Sequence, residues 1–145
     1  MLIGGGRREE VSGGLRRTTR RRTDLMAAVA ALEPLIWPAR VMIYTNSRYL
    51  AKAMVEGWAE RWRANGWKRS RKAYVADCDL WRALLALVKR HEVVEFQRGQ
   101  DCAGDPDNQR CRRLAVEASR AGEPPDDPGY ERQVERAAAQ LRLFD

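Results

Sequence analysis

Residues 18–45, TTRRRTDLMAAVAALEPLIWPARVMIYT, join a helix pattern to a strand pattern. The first half places apolar residues at the i, i+3, i+4, i+7 spacing of one buried helix face, namely at Leu25, Ala28, Val29 and Leu32. Pro34 ends this helix, because proline lacks the backbone N–H that a helix interior requires. Residues 40–45 form a continuous apolar run, which is typical of a strand covered on both faces. A helix followed by a buried strand favours an α/β fold.

The remaining elements extend this layout in both directions. A hairpin over Leu2-Ile3 and Val11 is predicted before the helix and strand of residues 18–45. After them the sequence predicts a helix from Ser47 to Asn65-Gly66 and a helix from Asp77 or Asp79. A strand over 93–98 and a helix from Asp105-Pro106 to Gly122 follow. Helices that alternate with strands predict an α/β fold with a mixed sheet flanked by helices.

The C-terminal part of the sequence differs in composition from the rest. Residues 123–129, EPPDDPG, contain three prolines and cannot form regular structure, so they predict a linker. Residues 130–145 have a largely polar, amphipathic helix pattern. We therefore expect one domain over 1–122, a linker over 123–129 and an extra C-terminal helix over 130–145.

Composition excludes several classes of protein. The 145 residues include 27 Lys and Arg against 20 Asp and Glu, giving a net charge of +7, which favours polyanionic partners. No apolar run approaches the roughly 18 residues of a membrane-spanning helix, and no secretory signal is visible. Cys78, Cys102 and Cys111 lack a paired spacing, which favours reduced thiols. We expect a cytoplasmic protein that does not enter membranes.

Five stretches resemble, in the same order, those of bacterial type 1 ribonuclease H. They are residues 18–33, residues 44–49 (YTNSRY), the tryptophan-rich basic stretch 58–72, Asp79-Leu80-Trp81, and residues 102–111 (CAGDPDNQRC). The resemblance extends from about Met1 to Tyr130. It implies a ribonuclease H-like mixed sheet flanked by helices. It also implies that the family's opening strand, with its first carboxylate, precedes Met1, so that the domain over 1–122 is N-terminally truncated.

The resemblance implies two-metal hydrolysis of the RNA strand of an RNA/DNA hybrid, which needs about four carboxylates around two Mg²⁺ ions. The family's catalytic positions correspond to Asp24, Asn46, Cys102 and Arg112. Of these only Asp24 keeps a negative charge. We expect weak metal binding at Asp24 at best, with Mg²⁺ or Mn²⁺ as cofactor only if the protein is active. Asp101 and Asp105 are poor substitutes, because Asp105 has the sequence of a helix cap.

The residues that the resemblance assigns to nucleic-acid binding are better preserved. They are Thr19, Arg20, Arg21, Trp62, Trp67, Lys68, Arg69, Arg71 and Lys72. Thr19 corresponds to a phosphate-contacting threonine, Arg20 and Arg21 to two asparagines in the minor groove, and the others to the family's basic protrusion. Basic side chains that contact phosphates give affinity without sequence readout. We expect Trp58 to be a core residue and Trp62 and Trp67 to lie at the surface.

Three functions remain open at this point. The first is a pseudoenzyme that holds RNA/DNA hybrid or duplex, the second an active or partner-completed ribonuclease H, and the third an adaptor. A protein partner would dock on the C-terminal helix or fill the gap left by the opening strand. A zinc site made by Cys78, Cys102, Cys111 and His91 is disfavoured, because none of their spacings is that of a known zinc motif.

Overall fold

The structure is a computed structural model that describes residues 1–71, 73–99 and 104–142. In these ranges the elements are β1 (Leu2–Gly4), β2 (Arg7–Glu9), α1 (Arg20–Leu32), β3 (Arg40–Thr45), α2 (Arg48–Val55), α3 (Trp58–Ala64), α4 (Cys78–Val88), β4 (Val93–Arg98), α5 (Pro106–Arg120) and α6 (Pro128–Arg142). The predicted α/β class is therefore confirmed. No helix in the described part of the chain is long and apolar enough to cross a membrane.

The N-terminal hairpin is formed by β1 and β2. These strands are antiparallel, with Leu2 opposite Glu9 and Gly4 opposite Arg7. Gly5 and Gly6 form the two-residue turn with φ of +56° and +74°, a conformation that favours glycine at both positions. The predicted second strand at Val11 is wrong, because this short turn starts the returning strand at Arg7 and leaves Val11 beyond it.

The second sheet consists of β3 and β4, which are parallel, with Arg40 opposite Val93 and Thr45 opposite Arg98. Strand β3 covers the predicted range, but its burial alternates: Met42 and Tyr44 are exposed, while Ile43 is half-buried. The expectation that both faces are covered is wrong, because only one face packs against helices. Among the described residues the four strands form two separate two-stranded sheets rather than one, and β3 pairs with a strand on one edge only.

The core lies between the β3–β4 sheet and the helices on one of its faces. Its fully buried side chains are Leu25 and Leu32 of α1, Leu50 of α2, and Trp81 and Leu84 of α4. Helix α1 buries the face that the sequence predicts, so the amphipathic spacing and the packing agree.

Side chains cap three helices, two of them at the cap residues that the sequence predicts. Ser47 Oγ accepts from the Leu50 N–H at 3.3 Å, and Asp105 Oδ1 accepts from the Asp107 N–H at 2.8 Å. Thr19 Oγ1 accepts from the Arg22 N–H at 3.3 Å, so α1 begins one turn before Asp24. The single helix predicted from Ser47 to Asn65 is wrong, because Gly57 adopts φ +69° and divides it into α2 and α3.

The segment between α5 and α6 packs against the start of α1. Arg16 N–H donates to Pro125 O at 2.9 Å, and Asp127 N–H donates to Arg16 O at 3.1 Å. The Asp127 carboxylate is buried and accepts from Arg22 Nε at 2.6 Å and from Thr18 Oγ1 at 2.7 Å. The stretch predicted as a linker is thus attached to the domain by backbone and side-chain bonds.

Candidate nucleic-acid interface

The C-terminal end of the β3–β4 sheet brings Asn46 and helix α5 together. Asn46 follows β3 directly, and its Nδ2 donates to Asn108 Oδ1 of α5 at 3.3 Å. On the β4 side, a Cβ atom on Gly99 would lie 3.0 Å from Asn46 Oδ1, so the Asn46 side chain leaves little room for a larger residue at position 99. The predicted candidate at Asn46 therefore lies at a sheet end that faces a helix.

The other three candidate catalytic positions are distributed over separate parts of the chain. Asp24 is half-buried on α1, and Arg112 is exposed on α5. Cys102, like the alternative ligand Asp101, lies outside the described residues. Asp105 is half-buried and caps α5, as its sequence predicts. Within residues 1–71, 73–99 and 104–142, no group of three or more His, Cys, Asp or Glu side chains is placed to hold a metal ion.

These residues do not fit a pair of divalent cations. Asn46 offers one neutral amide oxygen, and its amide nitrogen is bonded to Asn108. Arg112 carries a positive charge, which opposes a second cation nearby. Two Mg²⁺ ions need several hard, negatively charged oxygen ligands, whereas Asp24 is the one acid among the described candidate positions.

A buried cluster of opposite charges lies beside α1, and the sequence analysis did not identify it. Arg22 is 1% exposed and bonds to Asp127, to Asp79 at 2.8–2.9 Å and to Asp77 at 3.3 Å. Burial opposes ionisation of Asp127, yet hydrogen bonds from Arg22 and Thr18 outweigh it and lower the pKa to about 2. The Arg22 hydrogen bond also lowers the pKa of Asp79, whereas burial raises the pKa of Asp77. The acids hold Arg22 away from solvent, so this cluster is part of the domain's interior.

The predicted nucleic-acid residues of α1 lie at its N-terminus. Thr19 is half-buried and caps the helix. Arg20 and Arg21 are exposed, and the Arg21 guanidinium carbon lies 4.7 Å from the centre of the Tyr49 ring. Arg22, in the same basic run, points instead into the buried acid cluster. Three adjacent arginines that look equivalent in the sequence therefore differ in the structure: Arg20 and Arg21 are exposed, and Arg22 is buried.

The tryptophans of the basic stretch pack inward. Trp67 is 6% exposed, so the prediction that it lies at the surface is wrong. The backbone N–H of Trp67 donates to the carbonyl oxygen of Trp62 at 2.7 Å. The φ of +63° at Trp67 turns the chain back over the core after Gly66. Trp62 is half-buried and makes an edge contact with Trp81 at 5.4 Å, so the surface prediction holds for only part of its ring. Trp58 packs against the core, as predicted.

Beyond Trp67 the chain forms a short projecting loop whose cations face solvent. Lys68 pairs with Tyr74 in an antiparallel bridge, and Arg69 N–H donates to Ala73 O at 2.8 Å. Lys68, Arg69 and Arg71 are exposed, and Lys72 lies outside the described residues. A backbone held by hydrogen bonds thus presents at least three cations on one loop, which we call the basic loop (Lys68, Arg69 and Arg71).

Tyr49 connects the basic loop to the start of α1. Its ring stacks on Trp62 at 6.3 Å and lies under Arg21. Burial raises the pKa of the Tyr49 hydroxyl, and the positive charges of Arg21 and Arg69 act against that rise. Both cations therefore lie close enough to Tyr49 to alter its ionisation. Arg21 and Arg69, one from each basic cluster of the sequence, therefore both lie near Tyr49.

The family model for RNase H matches residues 1–120 of this chain. This chain belongs to the RNase H family. A Ribonuclease H of Trichodesmium erythraeum is 44% identical over 110 residues, which cover 76% of this chain and 69% of that relative. A Ribonuclease HI of Synechocystis is 46% identical over 97 residues, covering 67% of this chain and 60% of the relative.

A solved RNase H structure shares the fold. LC9-RNase H1, a type 1 RNase H with the type 2 active-site motif, aligns with a TM-score of 0.58 and 30% identity. The alignment covers 85% of this chain and 61% of that one. The RNase H fold predicted from the sequence is confirmed. The chain spans 60–69% of the length of these RNase H relatives, so it matches only part of each.

Proposed function

We propose that the protein binds RNA/DNA hybrid or duplex through the phosphate backbone and does not hydrolyse it efficiently. The observation that carries this proposal is the set of exposed cations at the start of α1 (Arg20 and Arg21) and on the hydrogen-bonded basic loop. Exposed Arg and Lys side chains on a structured backbone suit phosphate contacts, which position a duplex without reading its sequence. Membership in the RNase H family supports the hybrid as ligand.

The loss of hydrolysis is supported by the donor set. The described candidate positions supply one carboxylate at Asp24, an amide at Asn46 and a cation at Arg112. The attraction of phosphates to the positive surface needs no metal, so binding and hydrolysis are separable properties here. A cytoplasmic location stays a prediction, supported by the reduced thiols of Cys78 and Cys111.

A comparison of two charge variants in a hybrid-binding assay at low salt tests the proposal. The probe is a fluorescently labelled 16-base-pair RNA/DNA hybrid, and the test variant is Lys68→Gln/Arg69→Gln/Arg71→Gln. The matched control is Arg40→Gln/Lys89→Gln/Arg90→Gln, which removes the same charge from exposed positions at the start of β3 and the end of α4. We expect the basic-loop variant to bind more weakly than the control at low salt. Equal affinity of the two variants would reject the interface.

A second candidate function is a ribonuclease completed by an added strand, and the divided sheet favours it. Helix α5 bonds to the hairpin side through Arg110, which meets Glu10 at 2.8–2.9 Å, and to the β3 side through Asn108. Arg8 and Asp107 form a second ion pair between β2 and α5. One helix thus connects two sheets that do not pair with each other, and β3 presents an unpaired edge within the described residues. An extended segment that pairs with this edge would join the sheets.

Protein partners are a further proposal. The added strand could come from another chain. A partner could also dock on α6, a helix predicted to be amphipathic, in which the apolar Val134 is exposed. Size-exclusion chromatography with light scattering, run across a range of protein concentrations, tests self-association through either surface. A monomer at all concentrations would exclude a second copy of this chain as the donor of the strand.

A further inference from the structure

We propose that the cleft between α2 and the end of β4 binds a backbone phosphate of the nucleic acid. This inference rests on the proposed function and extends the interface beyond the surface at Tyr49. The cleft has a volume of about 220 Å³ and is lined by Arg48, Lys52 and Arg98, with Ala51 and Val55 between them and Glu56 at one side. None of these residues belongs to the positions predicted from the sequence. We call it the α2–β4 cleft.

The positive charge of the cleft is only partly neutralised. Lys52 Nζ lies 3.6 Å from the Glu56 carboxylate and 5.5 Å from the centre of the Trp58 ring, so this amine has local partners. Arg48 and Arg98 form no ion pair with the residues that the structure describes. Arg98 Nε is buried and lacks a hydrogen-bond partner in the same part of the chain. Arg48 and Arg98 therefore bring positive charge to the cleft that no acid among the described residues neutralises.

The cleft adjoins the sheet end that carries Asn46. Arg48 is two residues beyond Asn46, and Arg98 precedes Gly99, whose Cβ position lies 3.0 Å from Asn46 Oδ1. Tyr49, the next residue of α2 after Arg48, lies under the Arg21 guanidinium, whose carbon is 4.7 Å from the ring centre. The cleft therefore lies on the same helix as the residue that contacts Arg21 and beside the sheet end of the candidate interface.

The chemistry of the lining favours a phosphodiester over an isolated carboxylate. Guanidinium groups bind phosphate oxygens through paired hydrogen bonds, and two arginines line the same cleft. The apolar side chains of Ala51 and Val55 offer a surface for the sugar next to the phosphate, since Val55 is 71% exposed. An acidic peptide offers the same negative charge without a sugar backbone. It is therefore the competing ligand in the test.

The test compares the wild-type chain, Arg48→Gln/Lys52→Gln/Arg98→Gln, and the equal-charge control Arg40→Gln/Lys89→Gln/Arg90→Gln. Binding of the 16-base-pair hybrid is measured from 50 to 300 mM KCl, and circular dichroism checks that each variant is folded. Each phosphate that the protein no longer neutralises reduces the slope of log K against log salt by about 0.9. Because the cleft is proposed to hold one phosphate, we expect the magnitude of the slope to be smaller by about 0.9 for the cleft variant than for the control.

Three results would overturn the inference in distinguishable ways. If the wild type binds hybrid and the basic-loop variant loses affinity, but the cleft variant equals the control, the proposed function stands and the cleft is not part of the interface. If fluorescein-labelled poly-glutamate binds the wild type and not the cleft variant, while hybrid binding equals the control, the ligand is an acidic peptide. If the wild type binds no hybrid at all, the proposed function and this inference both fail.

Discussion

At the scale of single residues, Arg22 belongs to a basic run but is buried inside the protein, where it bonds to Asp127. A buried guanidinium is tolerated only when acids neutralise it, and here Asp77, Asp79 and Asp127 do so. Removing one partner leaves part of that charge uncompensated. The position of Arg22 could not be read from the sequence, because Arg20, Arg21 and Arg22 are chemically identical and only tertiary contacts separate them.

Asp127→Asn should lower the free energy of unfolding by about 2 kcal/mol at pH 7, since folding lowers the pKa of Asp127 from 3.8 to about 2. Because the folded pKa is lowered, this stability is present above pH 4 and is lost as the pH falls towards 2. The difference between wild type and variant in urea unfolding should therefore shrink across that range. Glu60→Gln, which breaks an exposed pair with Arg63, is the control and should change stability by less than about 0.5 kcal/mol. A difference independent of pH would contradict the assignment.

His91 is a second residue whose environment affects stability. It is 9% exposed, and both ring nitrogens are buried without a hydrogen-bond partner among the described residues. We expect His91→Leu to raise the free energy of unfolding by about 1 kcal/mol, because an unsatisfied buried polar group is removed. His91→Gln keeps a polar group at the site and should give no gain. Urea unfolding at pH 7 measures both, and a destabilised His91→Leu would show that the imidazole has a partner.

At the scale of elements, local signals in the sequence predicted most of the structure. Apolar spacing identified α1, and cap residues at Ser47 and Asp105 gave the starts of α2 and α5. The break at Gly57 was missed because an apolar helical stripe continues through it, and glycine is tolerated within many helices. The inward packing of Trp67 was missed because it depends on a positive φ that no local signal specifies.

Truncation tests how the C-terminal segment is attached. A chain of residues 1–128 keeps the Asp127 carboxylate with its Arg22 and Thr18 donors, but loses the Gly129 and Tyr130 N–H donors at 3.0 and 3.1 Å and the exposed pair between Arg17 and Glu131. We expect this chain to unfold cooperatively, with a loss of about 1 kcal/mol. A chain of residues 1–122 also loses Asp127, and we expect a loss of about 3 kcal/mol because Arg22 stays buried with fewer partners. Equal stability of the two chains in urea would show that Asp127 does not anchor the segment.

At the scale of the whole molecule, the order of short motifs along the chain was enough to predict the fold. That order could not show how the strands are divided, because pairing across a sheet depends on every strand present. Among the described residues β3 pairs only with β4, and the hairpin forms its own sheet. Helix α5 bonds to both sides, so it spans the gap between the two sheets. The catalytic candidates were predicted by position, but Asn46 is held by Asn108, a partner that sequence alone did not identify.

Catalysis by the RNase H reaction is a property of this whole arrangement, and we expect the 145-residue chain to lack it. The negative charge that two divalent cations need is reduced to Asp24 among the described candidates, while Arg112 adds a positive charge. A labelled RNA/DNA hybrid with Mg²⁺ or Mn²⁺ should therefore show cleavage near background. Asn46→Asp alone restores one carboxylate and should leave the rate unchanged within error. Asn46→Asp/Arg112→Asp together with an added N-terminal strand that bears an aspartate should recover part of the activity, because it restores the charge and pairs the open edge of β3. Metal-dependent products from the unmodified chain that disappear in Asp24→Ala would show instead that this donor set is sufficient for hydrolysis.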